Sequence, residues 1–223
     1  MNVWIWGPPM WEIMHSSAFI LDKHKLNSES LYKSLTILLP CRHCRESFNI
    51  FWEQTGPPER GHTARWVYEI HKLVNRKLHN QRVEKYIGSQ NLPKKINRVL
   101  LQSAIDLFPE PSFEVVCKRY LVNNDESLAW TSVSTALLAL CMGLEKNPGG
   151  LTEFYSFINI LKIVVSLSEQ KNKHFILNVL ESLDGQSVQS SIYILEKLKY
   201  NKITDSKQKD LIRAGSCING TCL

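Results

Sequence analysis

Apolar residues recur along almost the whole chain at the spacing of helical turns, and no alternating pattern suited to a half-buried strand survives inspection. Trp11, Met14, His15 and Ala18 follow the i, i+3, i+4, i+7 rule and predict a first helix. A second is predicted over roughly residues 28–39 and stops at Pro40, because proline has no N–H to continue the ladder. Cys41 and Cys44 then open a third helix with Phe48, Phe51 and Trp52 on its inner side. The stretch "QTGPPERG" (54–61) is a loop, since two prolines between glycines cannot remain helical. Residues 62–80 form the most amphipathic helix of the first half, with Val67, Ile70, Val74 and Leu78 in one stripe. "IGSQNLPKK" (87–95) is predicted as a connection.

The second half continues in the same style. "FPEPSF" (108–113) is the best candidate boundary, and apolar helical faces follow at 128–144, 152–168, 173–184 and 187–199, with "KNPGG" (146–150) as a turn. From residue 201 the chain is polar and lysine-rich and ends in "AGSCINGTCL", the composition of a flexible tail. The predicted fold is therefore all-α: a four- or five-helix bundle over 1–108, a second helical domain over 109–200, and a tail over 201–223 that carries Cys217 and Cys222.

Composition narrows the class without naming it. The 223 residues carry 27 lysines and arginines against 21 acids, a formal charge of +6 with no long block of one sign. A solvated basic surface accounts for that balance, so no nucleic-acid partner is expected. The N-terminal "MNVWIWGPPMW" has no basic leader, long apolar run or small-residue cleavage site, so no signal peptide is expected. The runs "VSTALLALCMGL" and "FINILKIVVSL" fall short of the roughly 18–20 residues that span a bilayer, and no membrane span is expected. The protein is expected in a compartment entered without a cleaved signal, where a working disulfide should be catalytic rather than structural.

Six cysteines are too few for a disulfide scaffold of this length. Cys117 and Cys141 sit in apolar surroundings and read as buried thiols. Cys41 and Cys44, in "PCRHC", are more informative. Pro40 puts them at a helix N-terminus, where the dipole favours a thiolate, and Arg42, His43 and Arg45 add positive potential. A redox dithiol, half of a zinc site or two incidental thiols all remain open on this motif alone. The zinc alternative makes the protein a structural or interaction module that joins Cys41 and Cys44 to Cys217 and Cys222 as four thiolates, although Cys-x4-Cys is loose for a zinc knuckle. A thioredoxin-like dithiol needs a βαβ setting that the helical pattern denies. Two further stretches weigh on the choice. "WGPPMWEIMH" places Gly7, Trp11 and His15 on the first helix, and "WVYEIHKLVNRKL" places His71, Val74, Asn75 and Leu78 along one helical face. Together they make a polar and aromatic lining suited to a large planar heterocycle.

The order W-G-x-x-x-W-x-x-x-H, P-C-x-x-C, H-x-x-V-N-x-x-L resembles the ERV/ALR flavin-linked sulfhydryl oxidases, over roughly residues 1–100. The compact first half with an extra helical C-terminal region is most similar to the versions encoded by large DNA viruses. The resemblance implies an FAD-binding bundle whose active disulfide is Cys41–Cys44. Cys41 would exchange with the incoming thiol, and Cys44 would lie against the flavin ring and pass electrons on to dioxygen, giving hydrogen peroxide. Gly7, Trp11, His15, His71, Val74, Asn75 and Leu78 would contact FAD, with Lys77 near its charged half. No metal is required. Protein thiols are the implied substrates, a homodimer joined through helices of the FAD domain is the implied assembly, and Cys217 and Cys222 could form a mobile shuttle dithiol. The implied location is host cytoplasm and virion if the protein is viral, or otherwise a non-secreted oxidising compartment such as the mitochondrial intermembrane space. Two departures stand out. Val67 and Tyr68 follow Trp66 where the family often places a stapling cysteine, and Asn80 stands where it often has a lysine.

Overall fold

A computed structural model describes residues 3–89, 111–122, 128–146 and 148–202, and every regular element among them is helical. In chain order these are α1 (Val3–Lys23), α2 (Glu29–Leu38), α3 (Arg42–Thr55), α4 (Thr63–Ser89), α5 (Phe113–Val122), α6 (Trp130–Lys146), α7 (Leu151–Leu167), α8 (Lys173–Leu183) and α9 (Val188–Lys202), with a 3-10 turn at Pro148–Gly150 before α7. The all-α expectation holds, and the predicted helices recur with their ends moved by a few residues. Two differences matter. α4 runs on to Ser89, well past residue 80, and α5 occupies a stretch where no helix was expected.

Polar contacts at helix ends set the frame of the first bundle. The Asp22 carboxylate accepts the backbone N–H groups of Thr63 (2.9 Å) and Ala64 (2.8 Å). These first-turn donors have no intrahelical partner, and an anion suits the positive end of α4. The C-terminal end of α1 is thereby tied to the start of α4. The two helices run antiparallel, which brings His15 opposite His71. The Tyr32 hydroxyl of α2 donates to the Met14 carbonyl (2.8 Å), pinning α2 to the middle of α1. Trp66 packs against Tyr32, Phe48 and Trp52, while its indole N–H donates to the Gly56 carbonyl (2.8 Å). Gly56 ends α3 with φ +69°, in the left-handed region that glycine enters without penalty.

The second half repeats this pairing. α6 packs on α9 as α1 packs on α4, and α7 packs on α8 as α2 packs on α3. Between the halves, α1 lies against α6 and α2 against α7, the pattern of a two-fold arrangement within one chain. A single apolar core runs through both, from Met10 and Ile13 through Leu35 and Leu38 to Leu137, Phe154, Leu161 and Leu195. The two helical sets share one interior, and α5, which follows the expected boundary at 108–113, packs on α1 and α4 of the first set.

The halves approach closely at Gly143 of α6. A Cβ there would stand 2.9 Å from the Pro40 Cα, so only glycine lets α6 reach the turn that precedes Cys41. The run Pro148–Leu167 is 20 residues, longer than its sequence suggested and, by length and composition, enough to cross a membrane. In this fold Phe154, Phe157, Ile158, Leu161, Val164 and Val165 are buried on α7, which packs on α2 and α8.

Candidate active site

Cys41 is the N-cap of α3. Its backbone is extended (φ −93°, ψ 121°), and its Sγ accepts the Cys44 backbone N–H at 3.3 Å. The cysteine pair thus opens a helix, and an N–H at the positive helix end is aimed at the Cys41 sulfur. Both cysteines are half-buried thiols in this structure. Burial, the hydrogen bond with Cys41 and that residue's proximity push the Cys44 thiol up to about 12, against the pull of the Lys77 and Arg45 charges. The two sulfurs are therefore unlike: Cys41 takes the helix N–H, and Cys44 sits where a thiolate is costly.

The flanking cations are arranged differently from the simple picture of a positive turn. Arg42 and His43 point into solvent and share the Glu46 carboxylate, at 2.8 and 3.2 Å. The Arg45 Nη1 donates to the Leu39 carbonyl at 2.5 Å, fastening α3 to the end of α2. Lys77, on α4, donates to the Ser47 hydroxyl.

The expected aromatic lining does come together. The Trp11 and His71 rings stack with centroids 3.9 Å apart and planes within 9°. The His15 Nε2 and the His71 Nδ1 share a hydrogen bond of 2.9 Å, so one ring donates and the other accepts. Beside them is a cavity of about 200 Å³ lined by His15, Tyr68, His71, Asn75, Arg119 and Tyr120 among others. Burial above all, with the Arg119 charge second, lowers the His15 pKa to about 3 and keeps that ring neutral. Gly7 lies two turns earlier on α1, where an added Cβ would meet only Val3 at 3.8 Å, so packing does not demand a glycine there. Val74 packs against the core. Among these residues His15, His71 and Asn75 line the cavity, whereas Gly7, Trp11, Val74, Lys77 and Leu78 do not.

Seven lining residues were not anticipated: Tyr68 and Lys72 on α4, Pro111 just before α5, and Val115, Val116, Arg119 and Tyr120 on α5. Tyr68 and Lys72 form an i, i+3, i+4, i+7 set with His71 and Asn75, so the period already visible on α4 could have supplied them. Arg119 and Tyr120 had no such signal, because they lie on α5 beyond the proline-rich 108–113 stretch. Tyr120 is buried and stacks on His15 with centroids 4.9 Å apart. Cys141 is fully buried as expected, whereas Cys117 on α5 is only half-buried. Among the described residues no three histidines, cysteines or acids cluster as a metal site. Cys217 and Cys222, needed for the four-thiolate alternative and for the shuttle, lie outside the described residues.

The helical first half, with a cysteine pair opening one helix and a hydrogen-bonded pair of imidazoles between two others, can be set beside known proteins. Residues 8–95 match the Erv1 / Alr family. That family is known for sulfhydryl oxidases that bind FAD, and the matched segment holds both cysteines and the whole α1–α4 lining. No curated protein and no solved structure matches the chain. The residues present fit a flavin nucleotide in part. His15 Nδ1 and Asn75 Oδ1 are buried at the cavity without a hydrogen-bond partner among the described residues, and aromatic rings form its walls. Pockets that enclose a whole ligand measure roughly 300 Å³ or more, so this cavity is matched to one ring system rather than to an entire dinucleotide.

Proposed function

We propose that the chain is an FAD-dependent thiol oxidase that forms disulfide bonds in protein substrates. The observation that carries this reading is the Erv1 / Alr match over 8–95, a segment that contains the cysteine pair at the α3 N-terminus and the α1 and α4 residues of the ring-lined cavity, whose remaining wall comes from α5 and Pro111 before it.

The chemistry follows from the two unlike sulfurs. In the disulfide form a substrate thiolate attacks the Cys41 Sγ, the Cys41–Cys44 bond breaks, and its electron pair leaves on Cys44. A second substrate thiolate then attacks the mixed disulfide, releasing an oxidised substrate and Cys41 as a thiolate. Cys41 suits the exchanging role because the helix N–H meets negative charge on its sulfur. Cys44 then has the role that passes electrons inward, and the burial that pushes its thiol up to about 12 works against the thiolate this role requires. Bound FAD supplies the two-electron acceptor that dioxygen reoxidises with formation of hydrogen peroxide. His15, His71 and Asn75 would hold its ring system, with the neutral His15 offering a nitrogen rather than a charge.

Three further parts of the reading concern the whole protein. Cys217 and Cys222 act as a shuttle that collects electrons from bulky substrates and raises the local thiol concentration at Cys41 to roughly millimolar. A homodimer would have to avoid the α1 and α2 faces already covered by α6 and α7. The large-DNA-virus type of family member is the model for the extended C-terminal half, with host cytoplasm and virion as the location.

Oxygen uptake with a small dithiol and with a reduced folded protein tests the reading. Cys44→Ala should abolish both activities, because without a Cys41–Cys44 disulfide there is no bond for a substrate thiolate to open. Changing Cys217 and Cys222 together to Ser should spare the small dithiol and slow the protein substrate several-fold. Light scattering at 25.7 kDa or at twice that value decides the assembly. Wild-type protein that takes up no oxygen with either thiol overturns the oxidase reading.

A further inference from the structure

Opening a Cys41–Cys44 disulfide puts a full negative charge on the Cys44 sulfur, in a half-buried position. Such a charge needs a counter-charge or it returns to the disulfide. Arg42, His43, Arg45 and Lys77 lie near in sequence or space; the first two turn away from Cys44, and the charges of Arg45 and Lys77 both favour its thiolate. Arg42 and His43 are directed outward to Glu46, with side chains 81% and 87% exposed. Arg45 is bonded to the Leu39 carbonyl.

Lys77 is placed differently. Ser47 lies one turn beyond Cys44 on α3, and residues three apart share a helical face. The Ser47 hydroxyl donates to the His43 carbonyl at 2.7 Å, so its oxygen presents a lone pair to a donor. The Lys77 ammonium supplies that donor, and Ser47 is buried at 8% exposure, which excludes most water from the contact. The ammonium is thereby pinned from α4 against the face of α3 that carries Cys44. An ammonium carries three donors, and among the described residues Ser47 accepts one of them.

We propose that Lys77 is a positioning residue for the Cys44 thiolate: held on α3 by Ser47, its ammonium is the counter-charge that receives the electron pair when the disulfide opens. This rests on the oxidase reading for its place in turnover, and it gives Lys77 a thiol partner in place of the cofactor's charged half. In the step itself a substrate sulfur–Cys41 bond forms, the Cys41–Cys44 bond breaks and the pair moves to Cys44, with no proton required. A leaving thiolate of lower pKa departs faster, so Lys77 acts on the rate of this exchange. The Lys77 charge also opposes the burial that raises the Cys44 pKa, which agrees with the geometry.

Alkylation of Cys44 against pH, followed by mass spectrometry in a Cys41→Ser background, reads this directly. Removing Cys41 also removes two of the influences that hold Cys44 high, which brings its midpoint into a measurable range. Lys77→Met should raise the midpoint by about one pH unit, within the usual effect of a nearby opposite charge. Lys77→Gln, which keeps a donor for Ser47 without the charge, should raise it equally. Lys77→Arg should restore it, and Ser47→Ala should raise it by a smaller amount. Cys117 on α5 is the internal reference and should not move. With Cys41 intact and the disulfide formed, Lys77→Met should slow attack by a small dithiol several-fold. An unchanged Cys44 midpoint in both Lys77→Met and Lys77→Gln overturns the proposal, as does a parallel shift at Cys117. Failure of oxygen uptake in the wild type would overturn the oxidase reading instead, and the titration reports on Lys77 either way.

Discussion

The two halves of the chain pack their helices in the same pairs, yet among the described residues the cysteine pair at a helix start and the hydrogen-bonded imidazole pair both lie in the first. α1–α4 hold Cys41 and Cys44 at a helix start, the stacked Trp11 and His71, and the buried His15. Their counterparts α6–α9 place Cys141 at full burial inside a helix, where burial pushes its thiol up to about 12, and leave His174 in solvent. The second half is apolar where the first is reactive. Its observable contribution is mechanical: α6 and α7 cover α1 and α2, and Gly143 seats α6 on the turn before Cys41. Similar packing therefore does not imply similar function, which resides in particular side chains.

If the halves share one core, damage to the inactive one must reach the active one. Phe154 is 1% exposed at the centre of α7, and Phe154→Ala should cost about 3–5 kcal/mol. Calorimetry should then record one transition lowered as a whole, with Cys44 becoming more reactive as the fold loosens. Two separate transitions, with the first-half one unmoved, would break the comparison.

The next effect is confined to the first half. His15 is held neutral, chiefly by burial, with its pKa lowered from 6.5 to about 3, so between those values the unfolded chain takes up a proton that the folded chain refuses. Its contribution is complete above pH 6.5 and is lost as pH falls toward 3. Thermal melts should show this decline in the wild type and a shallower one in His15→Gln. Equal slopes in wild type and His15→Gln would remove His15 as its source.

Smaller again is the contact at Gly143. Gly143→Ala sets a methyl 2.9 Å from backbone at Pro40, an overpacking that should cost about 1–3 kcal/mol and change the alkylation rate at Cys41. A normal rate with normal stability would deny α6 its supporting role. The smallest effect belongs to the exposed ion pair between the halves, Lys23–Glu169 at 3.2 Å. Lys23→Ala should change stability by under about 1 kcal/mol in a denaturant titration, because both side chains keep most of their solvent.

Much of this was legible along the chain. The period of Trp11, Met14, His15 and Ala18 gave α1 its inner face, and Pro40 placed the cysteines at a helix start. Cys41 does cap α3, while the positive turn imagined around it dissolves into Glu46 and Leu39 contacts that depend on rotamers rather than spacing. α5 was missed because its ten residues bury little and follow a proline-rich stretch that reads as a boundary. Arg119 and Tyr120 were lost with it. The pairing of α1 with α6 and of α2 with α7 could not be read at all, since an apolar stripe announces that a helix has a partner without saying which one.

The most direct test of the central claim is the absorbance spectrum of the purified full chain before and after addition of a small dithiol without oxygen. The account predicts bound flavin, released as FAD on denaturation, whose visible band bleaches with the dithiol and returns with air, and a Cys44→Ala variant that keeps the band but does not bleach. A colourless protein that fails to take up added FAD, or a Cys44→Ala variant that bleaches at the wild-type rate, would contradict it.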